Sequence, residues 1–226
     1  MSNIKKSSVV MLGATGAVGG ETLNTLLSQD LTASITLLGR RDVDAITQSN
    51  VVQYRADIFD VDSYKKYLTG HDVAICTLGV GQPSKMSKED FIKIDKTAVI
   101  DFATACKQAG IKHFELLSSV GINKDSSNFF LKTKGELVEE LKALHFDRLS
   151  IFQPSMIITP TNRYGFTQAL TLAFWPVIDK LFIGSLKKYK GIAVAKLGRA
   201  IALNIVSDKK GLEYLNWKDF QDLNLM

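Results

Sequence analysis

A short apolar run, Val9–Leu12, leads into Gly13-Ala14-Thr15-Gly16-Ala17-Val18-Gly19, and a helical pattern follows with Leu23, Leu26 and Leu27 on one face. This strand, glycine turn and helix constrain the fold more than any other feature of the chain. Gly13 permits a tight turn, Gly16 lets backbone approach a ligand, and Gly19 lets the helix pack closely on the strand. The exposed N–H groups and positive end of such a helix stabilise a pyrophosphate. An ordinary strand-to-helix turn also carries glycines. Here the triplet follows a strand, opens a helix and begins a βαβ unit, the context in which it reads as a dinucleotide site. Gly13, Thr15, Gly16, Ala17 and Val18 are the expected cofactor contacts.

The second strand, Ile35–Leu38, ends in Gly39-Arg40-Arg41. A carboxylate at this position would accept a hydrogen bond from a ribose 2′-hydroxyl and repel a 2′-phosphate, whereas a guanidinium pairs with that phosphate. Arg40 and Arg41 therefore favour NADP(H) over NAD(H). The alternative is a pair of solvated loop arginines neutralised by Asp42 and Asp44. Asp57, after the third strand, is placed either to meet the adenine amino group or to cap the turn that follows. Leu78 and Gly79 follow the fourth strand, on the edge where ligands bind in such sheets, and Gly79 allows backbone to approach the cofactor.

Strands at Val9–Leu12, Ile35–Leu38, Val51–Arg55, Val73–Thr77, His113–Leu117 and Arg148–Phe152 are separated by helical stretches at Ala17–Ser28, Asp60–Leu68, Lys88–Ala109 and Phe129–Leu144. Apolar strands without alternation imply a parallel sheet covered on both faces. The fold class is α/β, a doubly wound Rossmann-type sheet, with 1–226 as a single dinucleotide-binding domain. From about 155 to 226 the rhythm weakens, and this part is expected to form a small substrate-side lobe. Within it, 159–165 reads as a loop, Phe166–Phe182 as an apolar helix interrupted at Pro176, Ile192–Val194 as a short strand, Lys196–Val206 as a helix and Glu213–Asn216 as a late strand. The apolar 166–182 stretch would serve as core, as a lid over the substrate or as a dimer face. With Lys187, Lys188 and Lys190 beside it, it would also suit surface association with an anionic membrane.

At 226 residues the chain can bury a sizeable core, and its 46% hydrophobic and 23% charged composition is that of a folded domain. A net charge of +5 suits an anionic small-molecule ligand, and no basic stripe with interleaved aromatics points to nucleic acid. Cys76 and Cys106 lie in apolar stretches and read as buried free thiols. His71, His113 and His145 are too dispersed for a metal site, so none is expected. The N-terminus has no signal-peptide pattern, and no run of ~20 apolar residues would span a bilayer, so the expected address is cytoplasmic. Oligomeric state is not legible.

Taken together, Gly-x-x-Gly-x-x-Gly, Leu38-Gly39-Arg40-Arg41, Gly70-His71-Asp72-Val73, Lys112-His113-Phe114, Leu116-Leu117-Ser118-Ser119, Lys134-Gly135-Glu136 and Phe146-Asp147-Arg148 carry a resemblance. The chain resembles the atypical short-chain dehydrogenase/reductases, in particular a Tat-interacting oxidoreductase-like branch, strongly over residues 8–160 and weakly beyond. The resemblance implies an oxidoreductase of a small carbonyl or alcohol substrate. It implies a serine that polarises the carbonyl, here Ser119 with Ser118 as the alternative, and a lysine that holds the nicotinamide ribose, here Lys134. Pro154 and Ser155 would run beside the nicotinamide, with Met156 packed on the ring or simply in the core. The family's proton-exchanging tyrosine stands four residues before the lysine, and that position is Phe130. The missing phenol removes a general acid/base worth roughly 10²–10⁴-fold in rate. Tyr164 and Tyr189 are the tail's candidate substitutes. A non-catalytic NADP(H)-binding regulator or redox sensor is therefore the alternative to an enzyme.

Overall fold

Val-, Ile- and Leu-rich strands with both faces apolar pair side by side because each must be covered twice. The computed structural model describes residues 6–160 and 182–225. Among them are β1 (Ser7–Leu12), β2 (Thr32–Gly39), β3 (Val51–Arg55), β4 (Val73–Cys76), β5 (His113–Leu117), β6 (Arg148–Phe152), β7 (Ile157–Ile158), β8 (Ile192–Ala193) and β9 (Gly211–Leu215). Seven of them form one sheet in the order β3-β2-β1-β4-β5-β6-β9, parallel throughout. Among the described residues β7 and β8 pair with each other alone. The strand order reverses between β1 and β4, so the loops at their carboxyl ends open a crevice there.

Successive residues of β1 serve two separate cores. Val10 and Leu12 join a core beneath α3 (Ala98–Gln108) and α4 (Phe129–Ala143), while Val9 and Met11 join one beneath α1 (Ala17–Ser28) and α5 (Val194–Asn204). The second core also takes Phe220 from α6 (Trp217–Asn224). The doubly wound α/β sheet expected from the strand–helix rhythm is thus the fold observed, and Gly110 ends α3 in the left-handed region at φ +86°.

Three local readings change. The helix expected over 60–68 is two 3₁₀ turns, Val61–Ser63 and Lys65–Tyr67, parted by Tyr64 at φ −130°. Asp60 still caps, its side chain accepting from the Asp62 amide, and the Tyr64 ring is buried in the core. The helix expected over 88–109 has the π-turn Lys93–Thr97 between α2 (Lys88–Ile92) and α3. The late strand begins at Gly211 and is the seventh strand of the main sheet, on β6. The tail is therefore divided: β7 and β8 lie at the crevice side, while α5, β9 and α6 complete the main fold. The expected loop beyond residue 160 and the apolar stretch up to 181, Tyr164 included, fall outside the described residues.

Candidate active site

Gly13 sits at φ +98°, and a Cβ there would lie 2.7 Å from the carbonyl carbon of Thr77. A Cβ on Gly19 would come within 2.1 Å of the Gly13 carbonyl oxygen. No side chain fits at either position, and the backbone turn is correspondingly close to the loop after β4. The Gly16 amide donates to the Gly13 carbonyl at 3.0 Å and closes the turn. Gly16 caps α1 without a side-chain acceptor, which leaves the first N–H groups of the helix turned to the crevice. A pyrophosphate fits this uncapped, Cβ-free cradle on charge and on space.

Two recesses flank the turn, and Leu78 lines both. The smaller, about 70 Å³, is bounded by Gly13, Thr15, Arg40, Arg41, Tyr54 and Ile58. Both arginines are exposed, and among the described residues neither is held in an ion pair. Asp42 is engaged elsewhere, by Arg55 at 2.7 Å, which also raises the Arg55 pKa through the hydrogen bond. Asp57 does not line this recess; its Oδ1 accepts from the Phe59 amide at 2.9 Å, the turn-capping alternative.

The larger recess is a cleft of about 590 Å³ running from Gly16, Ala17 and Val18 past Leu78 and Gly79 to Ser118, Ser119, Phe130, Lys134, Pro154 and Ser155. Every residue expected near the nicotinamide thus meets in one cleft. β5 delivers both serines, and they differ. Ser118 is buried, and its Oγ has no hydrogen-bond partner among the described residues. Ser119 is half-buried and its Oγ leans on the Val120 carbonyl at 3.4 Å. Both serines line the cleft, so Ser119 and its alternative Ser118 both stay candidates for the carbonyl.

Asn128 caps α4 by accepting from the Leu131 amide at 3.1 Å, and one helical turn separates Phe130 from Lys134, so both line the cleft. The Lys134 Nζ lies 5.9 Å from the centre of the Phe130 ring. It lies 2.7 Å from Oδ1 of Asp95, a residue that sequence reasoning missed. Asp95 and Lys134 are the two ionisable side chains among the described residues lining the cleft. Tyr189 does not line it, and the described lining contains no tyrosine. The remaining wall is mainly apolar, with Val80, Pro83, Met156 and Ile157, and Thr77, Gln82 and Thr159 add polar side chains to it. Cys76 and Cys106 are buried free thiols, and burial pushes Cys76 up to about 12, so neither is a ready nucleophile.

Fold and site together define a nucleotide-binding Rossmann protein of the short-chain dehydrogenase/reductase type. A family profile described as NAD(P)H-binding matches residues 13–148, and the chain belongs to that family. It is 38% identical over 210 residues to protein HTATIP2 of Rattus norvegicus, covering 92% of this chain and 85% of that protein. It is 31% identical over 177 residues to "Protein FMP52, mitochondrial" of Candida albicans, covering 74% and 76%. Among solved structures it matches MoeE5 in complex with UDP-glucuronic acid and NAD, with a TM-score of 0.71 at 16% identity, over 92% of this chain and 75% of that one. It also matches the oxidoreductase ylbE of Lactococcus lactis, with a TM-score of 0.67 at 17% identity over 97% of each chain. These structural likenesses speak for the fold. No described helix is long and apolar enough to cross a membrane.

Proposed function

We propose that this chain is an NADP(H)-dependent oxidoreductase of a small, predominantly apolar carbonyl or alcohol. The observation that carries the cofactor preference is the pair of exposed guanidiniums, Arg40 and Arg41, at the rim of the smaller recess, with Asp42 taken up by Arg55. A 2′-phosphate placed there would gain two charge-assisted partners at little desolvation cost. In this reading the N–H groups of Ala17 and Val18 hold the pyrophosphate, Gly13, Thr15 and Gly16 shape its cradle, and Leu78 and Gly79 run along the cofactor. Asp57 stays with the turn it caps and makes no cofactor contact in this reading. Lys134 holds the nicotinamide ribose, and Pro154 and Ser155 border the ring. Bound in this way, the reduced nicotinamide would supply a hydride to a carbonyl carbon, and a water molecule would supply the proton that completes the alcohol, since Phe130 has none to give. Ser118 or Ser119 donates a hydrogen bond to the carbonyl oxygen, and Val80, Pro83, Met156 and Ile157 form the apolar side of the substrate space.

Titration of the protein with NADPH and NADH, followed by nicotinamide fluorescence, tests this reading. Tighter binding of NADPH is expected, and the Arg40→Ala/Arg41→Ala double variant should lose about tenfold or more for NADPH while NADH changes little. Equal affinity for the two cofactors in the wild type would defeat it. A second reading, a non-catalytic NADP(H)-binding regulator, is favoured by one observation: a phenyl ring, Phe130, stands where a proton donor is needed. Brisk wild-type turnover of an apolar carbonyl would dismiss that alternative. We also propose a cytoplasmic address; since the fungal relatives are named mitochondrial, recovery with mitochondria on fractionation would replace it.

A further inference from the structure

The Asp95–Lys134 pair is almost wholly shielded from water, with side-chain exposures of 1% and 7%. Its geometry couples three segments. Asp95 Oδ1 faces the Lys134 ammonium of α4 at 2.7 Å, and Oδ2 accepts the Val80 amide of the loop after β4 at 2.8 Å. The Gly79 backbone runs against both, since a Cβ there would lie 3.3 Å from Asp95 Oδ1 and 3.9 Å from Lys134 Nζ. Asp95 itself stands in the π-turn Lys93–Thr97, where the Ala98 amide bonds back to the Lys93 carbonyl. Single π-turns inside a helix gather at functional sites. Nor does stability account for the pair, because desolvating two charges largely cancels their attraction. Both side chains line the cleft.

We propose that Asp95 is a positioning residue for the cofactor, an inference that rests on the NADP(H) reading above. Its carboxylate fixes the Lys134 ammonium and the Val80 amide, and so sets the lysine and the 78–80 loop to receive the nicotinamide half of the dinucleotide. A lysine is a point charge on a flexible stem, and holding it in place in advance removes an ordering cost from binding. Where a tyrosine hydroxyl would ordinarily share the lysine's neighbourhood, Phe130 offers only a ring, and the buried carboxylate does the holding instead.

The test uses the full chain and two ligands: NADPH, and adenosine 2′,5′-bisphosphate, which carries the 2′-phosphate but lacks the nicotinamide riboside. Asp95→Asn keeps an oxygen for the Val80 amide and removes the charge. It should weaken NADPH about tenfold while adenosine 2′,5′-bisphosphate stays within about twofold. In a Lys134→Gln background, Asp95→Asn should change NADPH affinity less than about twofold, because the lysine through which it acts is gone. Equal losses for both ligands, full additivity with Lys134→Gln, or no loss at all would overturn the role of Asp95. If Lys134→Gln alone fails to fold, the two-ligand comparison on Asp95→Asn still decides. Failure of the wild type to bind either ligand would instead sink the NADP(H) reading, and this inference with it.

Discussion

Phe130 packs its ring against Phe91, with centroids 5.5 Å apart, while facing the cleft one turn from Lys134. Phe130→Tyr would add only a hydroxyl to a half-buried ring, a small change in volume with a large change in chemistry. It is expected to raise reduction of a small apolar aldehyde by about 10²-fold at saturating NADPH, the low end of what a positioned general acid supplies. Steady-state kinetics on the two proteins would show it, and an unchanged kcat would mean that the proton reaches the substrate by another route. This residue was legible in the sequence because one helical turn fixes its relation to Lys134. Gly13, the pair Ser118–Ser119 and Arg40 were legible in position because each follows a strand end. Asp95 was not. An aspartate in an amphipathic helix reads as solvated surface, and only the π-turn swings it inward.

At the scale of elements, the tail departs furthest from expectation. α6 escaped the sequence reading because it has only eight residues, most of them polar. Its signal was present nonetheless: Asn216 and Asp219 form a reciprocal capping box, with the Asn216 amide donating to Asp219 at 2.8 Å. The helix matters to the fold through Phe220, fully buried and stacked on Phe152 of β6 with centroids 6.0 Å apart. Phe220→Ala would leave a ring-sized void in the core shared by α1 and α5, and should cost about 3–5 kcal/mol. Denaturant melts would register this as a lower midpoint at unchanged slope. A loss below about 1 kcal/mol would mean that α6 is a peripheral appendage. The six strands up to β6 were legible from their apolar runs. β9 was legible only as a strand, since Leu212 and Tyr214 are exposed and nothing in its pattern announces a partner.

One polar layer crosses the whole right half of the molecule. Glu115 of β5, Ser150 of β6 and Glu213 of β9 stand in register, one pleat below the apolar row Leu117, Phe152 and Leu215. Asn204, at the end of α5, donates to Glu115 at 2.8 Å and to Ser150 at 3.1 Å. Ser150 donates to Glu213 at 2.6 Å, so the His113 contact to Ser150 at 2.9 Å is a donation from Nε2. Arg148 pairs with Glu213 at 2.7 Å; burial would raise Glu213, but the Ser150 hydroxyl and the Arg148 charge hold it below its usual range. On Glu115 burial outweighs the Asn204 hydrogen bond and the Arg148 charge and pushes it up to about 8, while burial and then Arg148 push His113 down to about 3. Folding therefore takes up a proton at Glu115 between pH 4.5 and 8, and releases one at His113 between pH 6.5 and 3. Between pH 4.5 and 6.5 the two slopes cancel. Above that range only Glu115 acts, and stability should fall by about 2 kcal/mol from pH 6.5 to 8. Below pH 4.5 only His113 acts, and stability falls again as the imidazole is forced to charge. Glu115→Gln keeps an acceptor for Asn204 and cannot ionise, so it should abolish most of the alkaline decline and, with nothing left to offset His113, start the acid limb near pH 6.5 instead of 4.5. Thermal melts of both proteins from pH 4 to 8.5, compared relative to their values at pH 6, would reveal this as a variant Tm higher by about 5 °C near pH 8 and lower near pH 4.5. Parallel curves over that range would mean that Glu115 is ionised in the fold, with the layer drawing a second cation that the present hydrogen bonds do not supply.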